Sequence, residues 1–312
     1  MDRITNDEVM LAHLRGGVIA LGNFDGFHAG HQAVVASAVA RARAERRPAI
    51  VATFDPHPVR LFVPDAPPFR LTTLDQRERL FAAAGADAML VFNFTRELAA
   101  RTADEFVHML IEQLGAAAVV TGEDFTFGRG RTGNVDVLNT IGFPLGLMTQ
   151  AIAPVIDASG EVISSSRIRD ALEAGDCATA TRLLTRPFTI EGEVIHGDKR
   201  GREIGFPTAN MEMDRYLRPV YGIYAVRARL PDGRLYDGAA NLGIRPTFDP
   251  PKELLESYLF DFTGDLYGQT IEIELIERLR GEAKFESLGA LVSQMDADVI
   301  RARDVLKKAP LA

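Results

Sequence analysis

Short apolar runs alternate with longer amphipathic stretches through the first half of this chain. Val18–Gly22, Ala49–Phe54, Ala88–Phe92, Ala117–Thr121 and Leu145–Thr149 are each four to six residues dominated by apolar side chains. Such runs predict strands buried on both faces. Between them, the stretches from about Gly30 to Arg46, Leu74–Ala84 and Thr102–Leu114 repeat apolar positions every three or four residues, which predicts helices. Strand and helix in alternation predict a parallel sheet with crossover helices, whose ligands meet the C-terminal ends of the strands.

The texture changes around Thr185–Pro187. Phe188–His196, Gly222–Leu230, Arg234–Ala240, Leu255–Phe262 and Thr270–Ile276 read as strands, separated by turn signals such as Pro231-Asp232-Gly233 and Gly264-Asp265. A helical pattern returns only at Ser287–Lys308. Short strands at this spacing predict an antiparallel barrel. Two short helices, Ser166–Ala174 and Asp176–Leu184, precede the change. The expected organisation is therefore an α/β domain over residues 1–184 and a mainly antiparallel β-barrel with a last helix over 185–312.

At 312 residues, two domains are the natural expectation. The net charge of −8, without a concentrated basic stretch, argues against a nucleic-acid surface but leaves room for a locally positive pocket. A single cysteine, Cys177, rules out an intrachain disulfide and fits a reducing compartment. Met1 to Arg15 lacks the apolar core of a secretory signal, and no run approaches the ~20 apolar residues of a spanning helix. A cytoplasmic protein without membrane contact is expected; composition says nothing of protein partners.

Chemistry concentrates first at Leu21-Gly22-Asn23-Phe24-Asp25-Gly26-Phe27-His28-Ala29-Gly30-His31. A strand runs here into a glycine-rich turn and then a helix start, whose N–H groups and dipole favour a phosphate. His28 and His31, three apart, can face one anion. Zinc ligation would need a third His or Cys that is not evident nearby, while solvated or core histidines remain the plainer alternative. Neither a Walker-type loop nor a Gly-x-Gly-x-x-Gly fingerprint is present.

Three further segments fall where strand ends or helix starts can face one cleft: Thr53-Phe54-Asp55-Pro56-His57-Pro58, Thr121-Gly122-Glu123-Asp124-Phe125-Thr126-Phe127-Gly128, and Ile163-Ser164-Ser165-Ser166-Arg167-Ile168-Arg169. Taken alone, the first suits a rigid turn, Asp124 suits a loop or cap, and the serines suit a helix N-cap. Together with the His-x-Gly-His segment they resemble the FMN adenylyltransferase half of prokaryotic bifunctional FAD synthetases. The resemblance implies that His28 and His31 are catalytic, holding nucleotide phosphates as pyrophosphate leaves. It implies ATP contacts from Gly22, Asn23, Phe24, Asp25, Gly26, Gly30, Ser164, Ser165, Ser166 and Arg169. Asp55, His57, Asp124 and Phe125 would shape the flavin site. Ser166 stands where the family often has Thr, which keeps the hydroxyl.

The second half carries its own constellation, His196 to Asn210, with glycines at 197, 201 and 205 and cations Lys199, Arg200 and Arg202. The charges alone would suit a solvated hairpin loop. Thr208 and Asn210 offer hard oxygen donors two apart, suited to Mg²⁺ that keeps several waters. This stretch resembles the riboflavin kinase signature, as do Asn241-Leu242-Gly243-Ile244-Arg245-Pro246-Thr247-Phe248, Leu255-Glu256-Ser257-Tyr258, Gly264-Asp265-Leu266-Tyr267-Gly268 and Glu282-Ala283-Lys284-Phe285. The resemblance implies ATP contacts from Gly197, Lys199, Arg202, Gly205, Thr208 and Asn210. It implies Mg²⁺ on Thr208 and Asn210, flavin contacts from Asn241, Arg245 and Tyr258, and Glu256 as catalytic base. Glu256 would otherwise be an ordinary strand carboxylate in a surface pair. Tyr258 departs from the family, which commonly has His there. The whole reading implies riboflavin, FMN, FAD and ATP as partners, with phosphorylation in the second half and adenylylation in the first.

Overall fold

A computed structural model describes residues 1–197, 205–245 and 252–310, and its chain packs as two compact units. The first comprises residues 1–67 and 73–164, the second residues 68–72 and 165–312.

The first unit is built on strands β1 (Asp2–Thr5), β2 (Val18–Leu21), β3 (Ala49–Asp55), β4 (Ala88–Asn93), β5 (Ala118–Gly122) and β6 (Met148–Ile152). They form one sheet in the order β1-β4-β3-β2-β5-β6, and every pairing is parallel. Helices α1 (Ala29–Glu45), α2 (Pro58–Phe62), α3 (Leu74–Ala83), α4 (Arg96–Ala100), α5 (Ala103–His108) and α6 (Val135–Gly142) connect them. The central strands are apolar on both faces, as their sequence requires. Val18, Ala20, Val51 and Met89 pack with Val35, Ala38 and Phe81 on one side. Ile19, Leu21, Ile50, Leu90 and Phe92 pack with Phe106, Val107 and Leu138 on the other. The chain leaves β2 toward β3 on one side while β5 lies on the other. That reversal opens a crevice at the C-terminal end of β2.

Two local expectations shift, and one strand appears that none foresaw. The strand expected over Leu145–Thr149 begins at Met148, because Pro144 has no N–H for a ladder and sits in the 3-10 turn Phe143–Leu145. The helix expected over Thr102–Leu114 is α5 followed by a π-helical turn, Met109–Gln113. Strand β1 has no apolar run to announce it; pairing with β4 makes it.

In the second unit, α7 (Ser165–Ala174) and α8 (Cys177–Leu184) precede the strands β7 (Phe188–Glu193), β8 (Ala209–Glu212), β9 (Gly222–Arg229), β10 (Leu235–Arg245), β11 (Lys252–Leu259) and β12 (Thr270–Arg280). Their order is β7-β12-β9-β10-β11-β8, all antiparallel. Beyond β7, Ile195 donates its N–H to the Asn210 carbonyl (2.8 Å), which nearly closes the sheet into a barrel. The long helix Leu288–Leu306 lies against it, with Ala302 and Leu306 buried on Ala225, Phe260 and Leu279. Packing thus divides the chain after residue 164, with α7 and α8 joined to the barrel rather than to the parallel sheet.

Candidate active sites

The turn after β2 leads directly into α1. His28 is the N-cap residue of that helix: its backbone is extended (φ −72°, ψ 172°) and its Nδ1 accepts the His31 N–H at 3.3 Å. An imidazole that accepts at Nδ1 carries its neutral-form proton on Nε2, so the donor edge is turned away from the helix. The two rings stack at 3.6 Å between centroids, 20° from parallel. Gly30 makes this stacking feasible, since a Cβ there would sit 3.1 Å from the His28 ring. The same Cβ would lie 3.5 Å from the Ile163 carbonyl, so the segment leading to Ser164 passes beside the histidine turn. A helix start beside paired imidazoles is an arrangement able to receive a phosphate.

The turn itself is strained. Phe24 and Phe27 adopt left-handed backbone at φ 49° and 45°, unusual for side chains of that bulk. Asp25 within it is buried and faces Arg77 of α3 at 3.5 Å. Arg77 was not singled out by sequence; the only signal is a cation one turn before Phe81 on the buried side of a helix.

Other expected residues of the first half lie at or after the C-terminal ends of β3 and β5, while Ser165 and Arg169 belong to the second unit. Asp55 ends β3, and His57 caps α2 by accepting the Val59 N–H (3.3 Å). Asp124 and Phe125 follow β5, with Phe125 stacked on Phe127 at 5.9 Å. Ser165 opens α7. Arg169 donates from Nε to the Phe69 carbonyl (2.8 Å) and lies over the Phe69 ring, both contacts within the second unit.

The second constellation is a row across three strands. Asn241 on β10 lies opposite Glu256 on β11, and Glu256 lies opposite Asn210 on β8. Residues paired in this way share a face. Tyr258, two positions on, shares it too, packing on Phe206 at 5.2 Å beside the cluster under the long helix. Asn210 is buried, and its Nδ2 donates to the Thr208 carbonyl (3.3 Å). The buried Asn241 Oδ1 has no hydrogen-bond partner among the described residues. Gly197 comes so close that a Cβ there would be 2.6 Å from Asn210 Nδ2. Strand β8, which the sequence pattern did not announce, brings Asn210 opposite Glu256. Gly205 precedes it at φ 89°. Lys199 and Arg202 lie outside the described residues, as does the side chain of Arg245.

Residues 11–167 match the family model described as FAD synthetase, and residues 184–306 match the one described as riboflavin kinase. A relative from Escherichia coli (strain K12), named a bifunctional riboflavin kinase/FMN adenylyltransferase, is 39% identical over 93% of this chain and 92% of its own. The chain belongs to the bifunctional riboflavin kinase/FMN adenylyltransferase family. Relatives of the same name from Pseudomonas fluorescens (40% identity, 93% of each chain) and Bacillus subtilis (38%, 90% of each) agree. A crystal structure from Streptococcus pneumoniae, described as a macrolide-efflux protein, has TM-score 0.86 at 32% identity over 97% of this chain and 99% of its own. That description is at odds with the family, but the architecture is the same. Among the described residues, no helix is long and apolar enough to cross a membrane.

Family membership gives the two constellations their order. The parallel sheet with its histidine turn falls in the FAD synthetase match, and the Asn241–Glu256–Asn210 row falls in the riboflavin kinase match.

Proposed function

We propose that the second unit transfers the γ-phosphoryl of ATP to the terminal ribityl hydroxyl of riboflavin, giving FMN and ADP. The first unit then transfers AMP from a second ATP to the FMN phosphate, giving FAD and releasing pyrophosphate. The observation that carries this reading is the cross-strand row Asn241–Glu256–Asn210, a carboxylate flanked by two amides, in the same chain as the His28–His31 pair.

In the kinase, Glu256 accepts the hydroxyl proton as the oxygen attacks the γ-phosphorus. Asn241 offers its buried carbonyl oxygen to the ribityl chain or to Glu256's hydrogen-bonded neighbours, and Tyr258 borders the flavin. The oxygen donors of Thr208 and Asn210 fit Mg²⁺, since they are hard, uncharged and few, leaving the remaining positions to ATP and water. When bound, that ion neutralises charge on the phosphates. Gly197, Gly205, Lys199 and Arg202 would line the ATP path, and Arg245 the flavin. In the adenylyltransferase, His28 and His31 stabilise the charge that develops as the pyrophosphate leaves. Gly22, Asn23, Phe24, Asp25, Gly26, Gly30 and the Ser164–Ser166 hydroxyls meet ATP with Arg169, while Asp55, His57, Asp124 and Phe125 bound the flavin nucleotide. The division of labour is placed near Leu184, and the site of action in the cytoplasm.

The test is incubation of the purified protein with riboflavin, ATP and Mg²⁺, followed by chromatographic separation of FMN and FAD. Sequential appearance of both is expected. Absence of both under oxidising and reducing conditions would refute the reading.

A further inference from the structure

Arg77 is the bulkiest of the fully buried side chains, 1% exposed, and Asp25 facing it is 2% exposed. Asp25 belongs to the turn that leads to the histidines, and Arg77 faces it from α3. Nη1 of Arg77 donates to Thr53 Oγ1 at 3.0 Å and to the Asn23 carbonyl at 3.4 Å. Thr53 Oγ1 in turn donates to the same Asn23 carbonyl at 2.7 Å. A guanidinium does not lose its proton inside a protein, so a buried one persists only where anions and acceptors surround it. Among its acceptors are a backbone carbonyl of the turn and the Thr53 hydroxyl on β3.

The turn has reason to be held. Phe24 and Phe27 sit in left-handed backbone, which endures only where the surroundings over-determine it. Phe81, one turn after Arg77 on α3, meets Phe24 and Phe27 edge-on at 5.9 and 5.1 Å. Phe24 in turn meets the His31 ring edge-on at 5.3 Å. Helix α3 therefore reaches the histidines by two routes, one apolar through Phe81 and one polar through Arg77. The charge is also notable. A carboxylate in a turn that receives a polyanion would repel it unless neutralised, and Arg77 is placed to neutralise it.

We propose that Arg77 is a positioning residue for adenylyl transfer. By neutralising Asp25 and bonding Thr53 and the Asn23 carbonyl, it fixes the turn that sets His28 and His31 against the phosphates of ATP. This rests on the reading of His28 and His31 given above.

The test uses Arg77→Met, Arg77→Lys and the double variant Asp25→Asn/Arg77→Met in the full chain. FAD formation from FMN is measured over a range of ATP, riboflavin phosphorylation is measured in the same preparations, and His31→Ala serves as reference. Arg77→Met is expected to lose on the order of 10²-fold in kcat for FAD formation, the scale of a misplaced reacting group, with a smaller change in KM. Arg77→Lys keeps the charge but not the fork, and should fall between. The double variant should regain part of the loss, because it also removes the charge that Arg77 faces; a purely space-filling role for Arg77 predicts no such recovery. Riboflavin phosphorylation should be unchanged throughout. An unchanged kcat in Arg77→Met, a loss confined to KM, or no recovery in the double variant would each overturn the proposal. If His31→Ala is inactive while Arg77→Met is normal, this proposal alone falls; if His31→Ala is normal, the reading of the histidines falls with it.

Discussion

His28 accepts the backbone N–H of His31 through Nδ1 and stacks on its ring, so one side chain is both helix cap and candidate catalytic group. The two roles separate by substitution. Asn at position 28 keeps a cap acceptor but removes the imidazole, whereas Ala removes both, at a further cost of about 1 kcal/mol in local stability. We expect His28→Asn and His31→Ala each to lower FAD formation from FMN by roughly 10²–10³-fold, as for loss of a group stabilising transition-state charge. Riboflavin phosphorylation should survive. Paired assays of one preparation decide it, and equal loss of both activities would contradict the assignment.

For Glu256, replacement by Gln preserves size and most polar contacts but removes the base. FMN formation should fall by about 10²–10⁴-fold, with binding of riboflavin and ATP changed much less, because the carboxylate acts in the transition state. FAD formation from supplied FMN should persist. Near-normal FMN production would take Glu256 out of the base role.

Gly197 gives a purely steric prediction. Its missing Cβ leaves room for the Asn210 amide, which a methyl group would meet at 2.6 Å. Gly197→Ala should displace Asn210, raise the Mg²⁺ concentration needed for half-maximal kinase rate, and lower that rate by up to about 10²-fold. Titration with Mg²⁺ checks it, and an unchanged midpoint would argue against Asn210 as a ligand.

The barrel's helical neighbours bear on where the chain can be cut. Helix α8 buries Ala180, Leu183 and Leu184 within the second unit. Removing it forfeits about 2 kcal/mol for each leucine. A fragment of residues 165–312 should therefore phosphorylate riboflavin and melt at a higher temperature than one of residues 185–312. Equal melting temperatures would show that α7 and α8 add nothing to the barrel.

Burial, with Asp176 adding to it, pushes the Cys177 thiol up to about 12. At pH 8 roughly one molecule in 10⁴ would carry the thiolate, the reactive form. Folded protein should therefore resist a disulfide reagent until denaturant is added. Prompt stoichiometric labelling of the native protein would show that the helix opens.

How much of this was legible beforehand depends on the range of the interaction involved. Val18–Leu21 and Ala88–Asn93 announce themselves because a central parallel strand must be apolar on both faces, and the glycines and histidines of 22–31 because a phosphate turn needs both in sequence. Strand β1 did not, since pairing with β4 rather than composition makes Asp2–Thr5 extended. The start of β6 was misplaced because a local rule at Pro144 outweighs a hydrophobic run.

The sequence by itself determined the two fold classes and their order, and nominated the residues of both candidate sites, because motifs are short-range and their chemistry lies in residue type. Only the tertiary structure decided which of those residues stand side by side. The register of β10, β11 and β8 sets Asn241, Glu256 and Asn210 in a row, from positions far apart in the chain. It also decided what stands behind the site: Arg77 reads as an ordinary helix cation until α3 packs and buries it, with Asp25, Thr53 and the Asn23 carbonyl among the groups that take the place of water. A buried charge takes its meaning from its neighbours, and long-range packing alone chooses those.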